Sequence, residues 1–216
     1  DRWIFNSLAN ITIDLPWVKG LSLVGSIAYD YYHQKYKQFK NVAYVYNYDQ
    51  AMNEYSKVMV PTVSSPSLNI EEKRSESLTG NVRANYHNTF NSVHTIDAFL
   101  GFEGNKSSSN MLSGYRGNFP SGMIPELPFG DSNTQTNNGS WSETARLNYF
   151  GRALYDYDNK YMVQFQFRYD GSQNFPPGNR YGFFPGVSAG WTLSKENFMS
   201  NINWLDNLKL RASWGQ

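Results

Sequence analysis

Tyr161-Met162-Val163-Gln164-Phe165-Gln166-Phe167-Arg168-Tyr169-Asp170 opens a stretch that continues through Gly171-Ser172-Gln173-Asn174-Phe175-Pro176-Pro177-Gly178-Asn179-Arg180-Tyr181-Gly182-Phe183-Phe184-Pro185 to Gly186-Val187-Ser188-Ala189-Gly190-Trp191. Its first half alternates with period two. Tyr161, Val163, Phe165, Phe167 and Tyr169 fall on one side, and Met162, Gln164, Gln166, Arg168 and Asp170 on the other. A β-strand sends successive side chains to opposite faces, so this strand has an apolar, aromatic face and a polar one. After a loop rich in Gly, Pro and Asn the pattern resumes, with Val187, Ala189, Trp191 and Leu193 against Gly186, Ser188, Gly190 and Thr192. The stretch predicts an antiparallel hairpin, and the question it poses is whether its apolar face meets a protein core or a lipid bilayer.

The same alternation recurs outward from this hairpin. Upstream it is read in Ile11–Leu15, Leu21–Tyr31, Leu78–His87, His94–Phe102 and Arg146–Tyr155, and downstream in Leu208–Trp214. Eight strands are predicted in all. Pro16-Trp17-Val18-Lys19-Gly20, Asn91-Ser92 and Asp156-Tyr157-Asp158-Asn159-Lys160 read as turns. Residues 33–77 lose the period and gather Lys, Gln, Asn, Tyr, Ser and Pro, and residues 104–143 lose it amid Ser, Asn and Gly with Pro120, Pro125 and Pro128. They are expected to be long loops, with a short helix near Tyr48–Val58, and a helical turn is expected at Lys195–Met199. Long loops are thus expected at one end of the strands and tight turns at the other, as in an outer-membrane barrel, where one rim faces the periplasm and the other the outside.

Composition fits strands that are greasy on one side only. Aromatic residues make up 17% of the 216 residues, yet mean hydropathy is −0.59. A net charge of +1 with no basic stripe argues against a nucleic-acid partner. The absence of cysteine excludes a disulfide framework, a thiolate metal site and a cysteine nucleophile. No apolar run is long enough for a transmembrane helix, but barrel strands need only about 9–11 residues each. Aromatics cluster towards strand ends at Trp17, Tyr31, Phe90, Phe102, Tyr155, Tyr157, Tyr161, Tyr169, Trp204 and Trp214, where interfacial girdles belong. A one-residue slip of register would turn Arg83, Asp97, Arg152 or Arg168 towards lipid, at about 2–4 kcal/mol for each arginine near the midplane. In the register proposed all four face the lumen, together with Asp170 and Arg180. A half-buried antiparallel sheet in a soluble protein shows the same alternation, and that reading stays open here.

Tyr149-Phe150-Gly151-Arg152-Ala153, Phe167-Arg168-Tyr169-Asp170-Gly171-Ser172, Pro177-Gly178-Asn179-Arg180-Tyr181-Gly182-Phe183-Phe184-Pro185, Val187-Ser188-Ala189-Gly190-Trp191 and Leu205-Asp206-Asn207-Leu208-Lys209-Leu210-Arg211-Ala212-Ser213-Trp214-Gly215-Gln216 resemble, in order and spacing, the barrel of the SusC/RagA family. These are TonB-linked outer-membrane transporters of Bacteroidetes. The resemblance is specific over 147–216 and looser over 1–146. It implies an all-β fold, an antiparallel up-and-down transmembrane β-barrel segment contributing about eight strands to a plugged barrel of 22. On this reading all of 1–216 is barrel. The plug domain and the TonB-contacting segment lie outside the chain, which reads as a piece of something longer.

The resemblance further implies uptake of oligosaccharides or peptides across the outer membrane of a Gram-negative bacterium. The expected partners are a SusD-like surface lipoprotein, the TonB complex and the lipid bilayer. No cofactor is implied and no nucleic acid. Among the outer loops, Tyr44, Tyr46, Tyr48, Tyr115 and Trp141 are candidate substrate contacts, since aromatic rings amid amides stack on sugars or peptide backbones.

Catalytic signatures are absent from the sequence: no H-E-x-x-H, G-x-S-x-G or phosphate-binding Gly-Lys-Ser/Thr occurs. His33, His87 and His94 lie on different elements, so a shared metal is not expected. Two alternatives to transport remain: a soluble surface β-domain that binds glycan or protein, and an outer-membrane hydrolase drawing on Asp30, His33, Asp170 and Ser172. No residue is assigned a catalytic or metal-binding role.

Overall fold

The computed structural model describes residues 1–60, 63, 65–200, 202 and 204–216. Ten strands follow one another: β1 (Arg2–Asp14), β2 (Leu21–Lys40), β3 (Tyr44–Asp49), β4 (Glu54–Met59), β5 (Ser67–Phe90), β6 (His94–Gly117), β7 (Thr136–Tyr157), β8 (Tyr161–Ser172), β9 (Tyr181–Thr192) and β10 (Lys209–Gly215). Eight form one sheet in the order β1-β2-β5-β6-β7-β8-β9-β10, and β3 pairs with β4 as a separate hairpin. Omitting that hairpin, neighbours in sequence are neighbours in the sheet, which is the up-and-down antiparallel order expected.

Turn chemistry fixes the tight ends. Asn91 and Ser92, and again Asp158 and Asn159, all have φ between +48° and +61°. Two consecutive left-handed residues make the hairpin turn whose twist matches that of its strands. Gly20 has φ +86°, and a Cβ there would lie 1.9 Å from the carbonyl oxygen of His87. Only glycine allows the β1–β2 turn to approach β5 this closely, with His87 N–H donating to the Gly20 carbonyl.

The alternation survives in the register. Tyr149, Gly151, Ala153, Tyr155 and Tyr157 pair with Tyr169, Phe167, Phe165, Val163 and Tyr161. These in turn stand opposite Phe183, Pro185, Val187, Ala189 and Trp191, and β10 continues the row with Leu210, Ala212 and Trp214. One face of β7–β10 is therefore apolar throughout.

The chain divides into two compact units, one of residues 1–5, 31–76 and 108–142, the other of 6–30, 77–107 and 143–216. In the first, Leu68 and Phe119 are buried, and the Phe119 ring meets Phe39 edge-on at 5.2 Å. In the second, no apolar side chain among the described residues is buried. Phe165 is 44% exposed, Val187 45% and Trp191 37%. No layer of the described residues covers them.

Three expectations are corrected. The span 33–77 is largely strand: β2 runs to Lys40, β5 begins at Ser67, and the helix expected at 48–58 is the β3–β4 hairpin. The span 104–143 likewise contains the end of β6 and the start of β7, with short 3₁₀ turns at Leu127–Phe129 and Ser132–Thr134 between them. Period two disappears from these segments because both faces are polar; the ladder of backbone hydrogen bonds holds them as strands regardless. Finally, the connection 193–208 shares an end of the sheet with the tight turns yet is longer than 173–180 at the other end. It holds 3₁₀ turns at Leu193–Lys195 and Asn197–Met199, the second within the helical turn expected.

Candidate functional site

The polar face of the second unit carries most of the candidate charges. Across β7, β8 and β9 the register sets it out in rows: Asn148, Asp170 and Gly182; Phe150, Arg168 and Phe184; Arg152, Gln166 and Gly186. Arg168 grips Asp170 two residues along the same strand, its Nε and Nη2 donating to the carboxylate at 3.0–3.2 Å. The Phe150 ring lies 5.9 Å from the Arg168 guanidinium. At Gly182 the Phe184 ring lies 2.9 Å from the place a Cβ would occupy, so any side chain there would have to displace the ring.

One strand over, Asp97 sits between two bases. Arg152 Nη2 donates to it at 2.6 Å, and His87 Nδ1 lies 3.4 Å away. The guanidiniums of Arg83 and Arg152 both lie against the Phe99 ring, at 5.5 and 5.3 Å. Their Nε atoms are shielded and lack hydrogen-bond partners among the described residues, which fits atoms pressed to an aromatic face rather than to water. Asn148, only 6% exposed, donates to Glu103 at 3.1 Å. The sixth expected charge, Arg180, lies just before β9 and donates its Nε to the Phe175 carbonyl at 3.2 Å.

In the first unit, Tyr44, Tyr46 and Tyr48 share one face of the β3–β4 hairpin, opposite Met59, Lys57 and Tyr55. Tyr48 and Tyr55 rings stand 5.0 Å apart, Tyr48 O–H donates to Asn53 at 2.7 Å, and Lys57 lies over the Tyr44 ring at 4.0 Å. Tyr46, 67% exposed, is the open rung of this ladder. Tyr115 on β6 and Trp141 on β7 lie outside the hairpin and contribute no ring to it. Tyr55 was missed because its segment read as helix.

The residues considered for hydrolysis have other partners. Asp30 accepts from Asn6, His33 pairs with Glu72 at 2.8 Å, and Asp170 is taken by Arg168. Among the described residues no three His, Asp or Glu side chains converge as metal ligands.

A structural clamp at the tight-turn end was also missed. Glu196 receives Lys160 at 2.7 Å, Tyr161 O–H at 2.5 Å and Trp191 Nε1 at 2.9 Å. These bonds, led by that from Lys160, hold the Glu196 carboxyl down to about 2, and Glu196 in turn raises the Lys160 ammonium above its ordinary value. The connection 193–208 is thereby tied to the start of β8. Nothing in the alternation pattern signals it, because Glu196 lies outside any strand.

The fold is similar to that of known transporters. The chain is 45% identical to the TonB-dependent receptor SusC of Bacteroides thetaiotaomicron over 69 residues, 32% of this chain and 7% of that protein. It is 32% identical to the TonB-dependent receptor P39 of Formosa agariphila over 136 residues, 60% of this chain and 13% of the relative. The solved RagAB peptide transporter superposes over 99% of this chain and 23% of its own, with a TM-score of 0.78 at 22% identity. A RagAB peptide importer in the 'open-open' state matches equally well, at a TM-score of 0.78. No protein-family model matches. The chain thus spans a small part of each relative. The likeness to the SusC and RagA proteins is borne out, and the fold is the expected all-β, up-and-down wall segment.

Proposed function

We propose that this chain is part of the wall of a TonB-dependent outer-membrane importer that takes up oligosaccharides or peptides together with a SusD-like surface lipoprotein. The observation that carries the reading is the uncovered apolar face of β7–β10 opposite a face of paired charges. Soluble monomers rarely expose contiguous apolar patches beyond a few hundred Å². In a bilayer the same rings are solvated by acyl chains, and the arginines look into a wet interior.

On this reading the sheet's polar face lines the lumen and the β3–β4 tyrosines belong to the outer loops that meet the substrate. Energy reaches the transporter through TonB by a segment outside this chain, and no covalent step is involved. The alternative of a soluble glycan-binding domain would need a second layer over Phe165, Val187 and Trp191, and those side chains are open.

The test is fractionation of the full-length protein from its native host. It should partition with the outer membrane, migrate faster on gels before boiling than after, and co-purify with a surface lipoprotein. Recovery in the soluble fraction, with mobility indifferent to heating, overturns the proposal.

A further inference from the structure

The row that follows Asn148–Asp170–Gly182 on the polar face is Arg146, Ser172 and Arg180. Arg146 pairs with Ser172 across β7 and β8, and Ser172 N–H donates to the Arg180 carbonyl at 3.0 Å. Two arginines therefore flank one serine in a single row. Their Cα atoms are set two strand spacings apart, about 10 Å, a gap that two arginine side chains can close from either side. The row borders a cavity of about 600 Å³ whose walls include Asn174, Phe175 and Phe184.

We propose that Arg146 and Arg180, with Ser172 between them, form an anion subsite that takes a carboxylate carried by the imported ligand. This deepens the importer reading and rests on it. The nearby acids are already engaged: Asp170 holds three hydrogen bonds from Arg168, and Glu103 accepts from Asn148. The Arg146 side chain has no hydrogen bond or ion pair among the described residues, and the Arg180 side chain spends only its Nε, on the Phe175 carbonyl. Ser172 Oγ accepts from Asn174 N–H at 3.3 Å, which leaves its own proton to donate.

Two guanidinium forks and a hydroxyl facing one cavity match the planar, multiple-acceptor geometry of a carboxylate better than that of a neutral hydroxyl. An anion there also relieves the repulsion between the two cations. The rings of Phe175 and Phe184 would pack against a sugar ring or a peptide chain alike, so a uronic acid and an acidic peptide are the two sources of one chemistry.

The experiment is calorimetric titration of the full-length transporter with its lipoprotein in detergent. The probes are trigalacturonate against maltotriose, and a Glu-containing tetrapeptide against its Gln counterpart. One charged probe should bind at least about tenfold tighter than its neutral partner, and which one does so identifies the source of the carboxylate. Arg146→Gln and Arg180→Gln should each cost that probe about tenfold, as loss of one charge-assisted bond does, while Arg146→Lys keeps part of the affinity. Neutral probes should not respond.

Absence of any charge preference, or a preference that survives in the double glutamine variant, overturns the subsite. Heat-modifiable gel mobility of the same preparation reports the barrel separately. A barrel without charge preference refutes the subsite alone, whereas loss of heat-modifiability refutes the importer reading.

Discussion

Arg152 on β7 reaches Asp97 on β6 with an Nη2–Oδ1 distance of 2.6 Å, and the same carboxylate faces His87 at 3.4 Å. One acid thus serves two bases, and Arg83 lies near as the second guanidinium against Phe99. Removing the acid should cost more than removing either partner.

Both side chains of the Arg152–Asp97 pair are just over a third exposed, so Arg152→Gln should cost no more than about 1 kcal/mol. Asp97→Asn leaves two guanidiniums, Arg83 and Arg152, against the Phe99 ring with no carboxylate bound to either among the described residues, and should destabilise more. The gap between the two variants should shrink as salt is raised. Urea unfolding of the full-length protein in lipid vesicles at low and high salt measures both.

Gly171 lies beneath an aromatic stack. A Cβ there would come 2.4 Å from the Tyr181 ring and 2.9 Å from the Leu147 carbonyl oxygen, and the Tyr181 ring is stacked on Tyr169 at 4.9 Å. The ring can yield but the backbone oxygen cannot. Gly171→Ala should therefore destabilise by about 1–3 kcal/mol, whereas Gly25→Ala, with open space around it, should be nearly neutral. The same unfolding assay compares the two.

Glu196 sets a pH limit on the connection 193–208. Its carboxyl is depressed from 4.5 to about 2 in the fold, so its contribution is complete above the ordinary carboxylate value and fades as pH falls towards about 2. The melting-temperature difference between the native protein and Glu196→Gln should be constant from neutral pH down to about 5 and vanish near 2. A difference already lost at pH 5 would contradict the clamp.

The exposed tyrosines of the hairpin should matter for ligand and not for stability. Tyr46→Ala removes the most open of the three β3 rings and should weaken binding of the imported ligand by about tenfold, in the range of a stacking contact, while the unfolding midpoint stays unchanged. Tyr48→Ala also breaks the bond to Asn53 and the ring contact with Tyr55, and should lower both.

The register of β7–β10 was legible because each of these strands has one greasy face and one wet one, so period two is imprinted on the residues: Phe165 against Gln166, Val187 against Ser188. The ends of β2, β5, β6 and β7 away from the tight turns were not, since residues such as Gln34, Glu72, Ser109 and Asn138 stand in strands that carry no such contrast. The β3–β4 hairpin was read as helix for a related reason. Its alternation is of tyrosine against valine and asparagine, and Asp49–Asn53 breaks it too soon for a period to show. The charges Arg83, Asp97, Arg152, Arg168 and Asp170 could be placed on one face from parity alone. Their pairing, and the row that joins Arg146 to Arg180, depends on strand register and on the length of the 173–180 connection, which no single-strand pattern contains.

The central claim, that one face of the sheet meets lipid and the other water, is tested most directly along β8. The chain has no cysteine, so single nitroxide labels can be carried on cysteines introduced one at a time at 163 to 168 of the full-length protein in vesicles. Labels at 163, 165 and 167 should collide with dissolved oxygen and be shielded from a water-soluble relaxation agent, and those at 164, 166 and 168 the reverse. Equal exposure of both sets to the aqueous agent, or shielding of the odd set from oxygen and agent alike, would contradict the account.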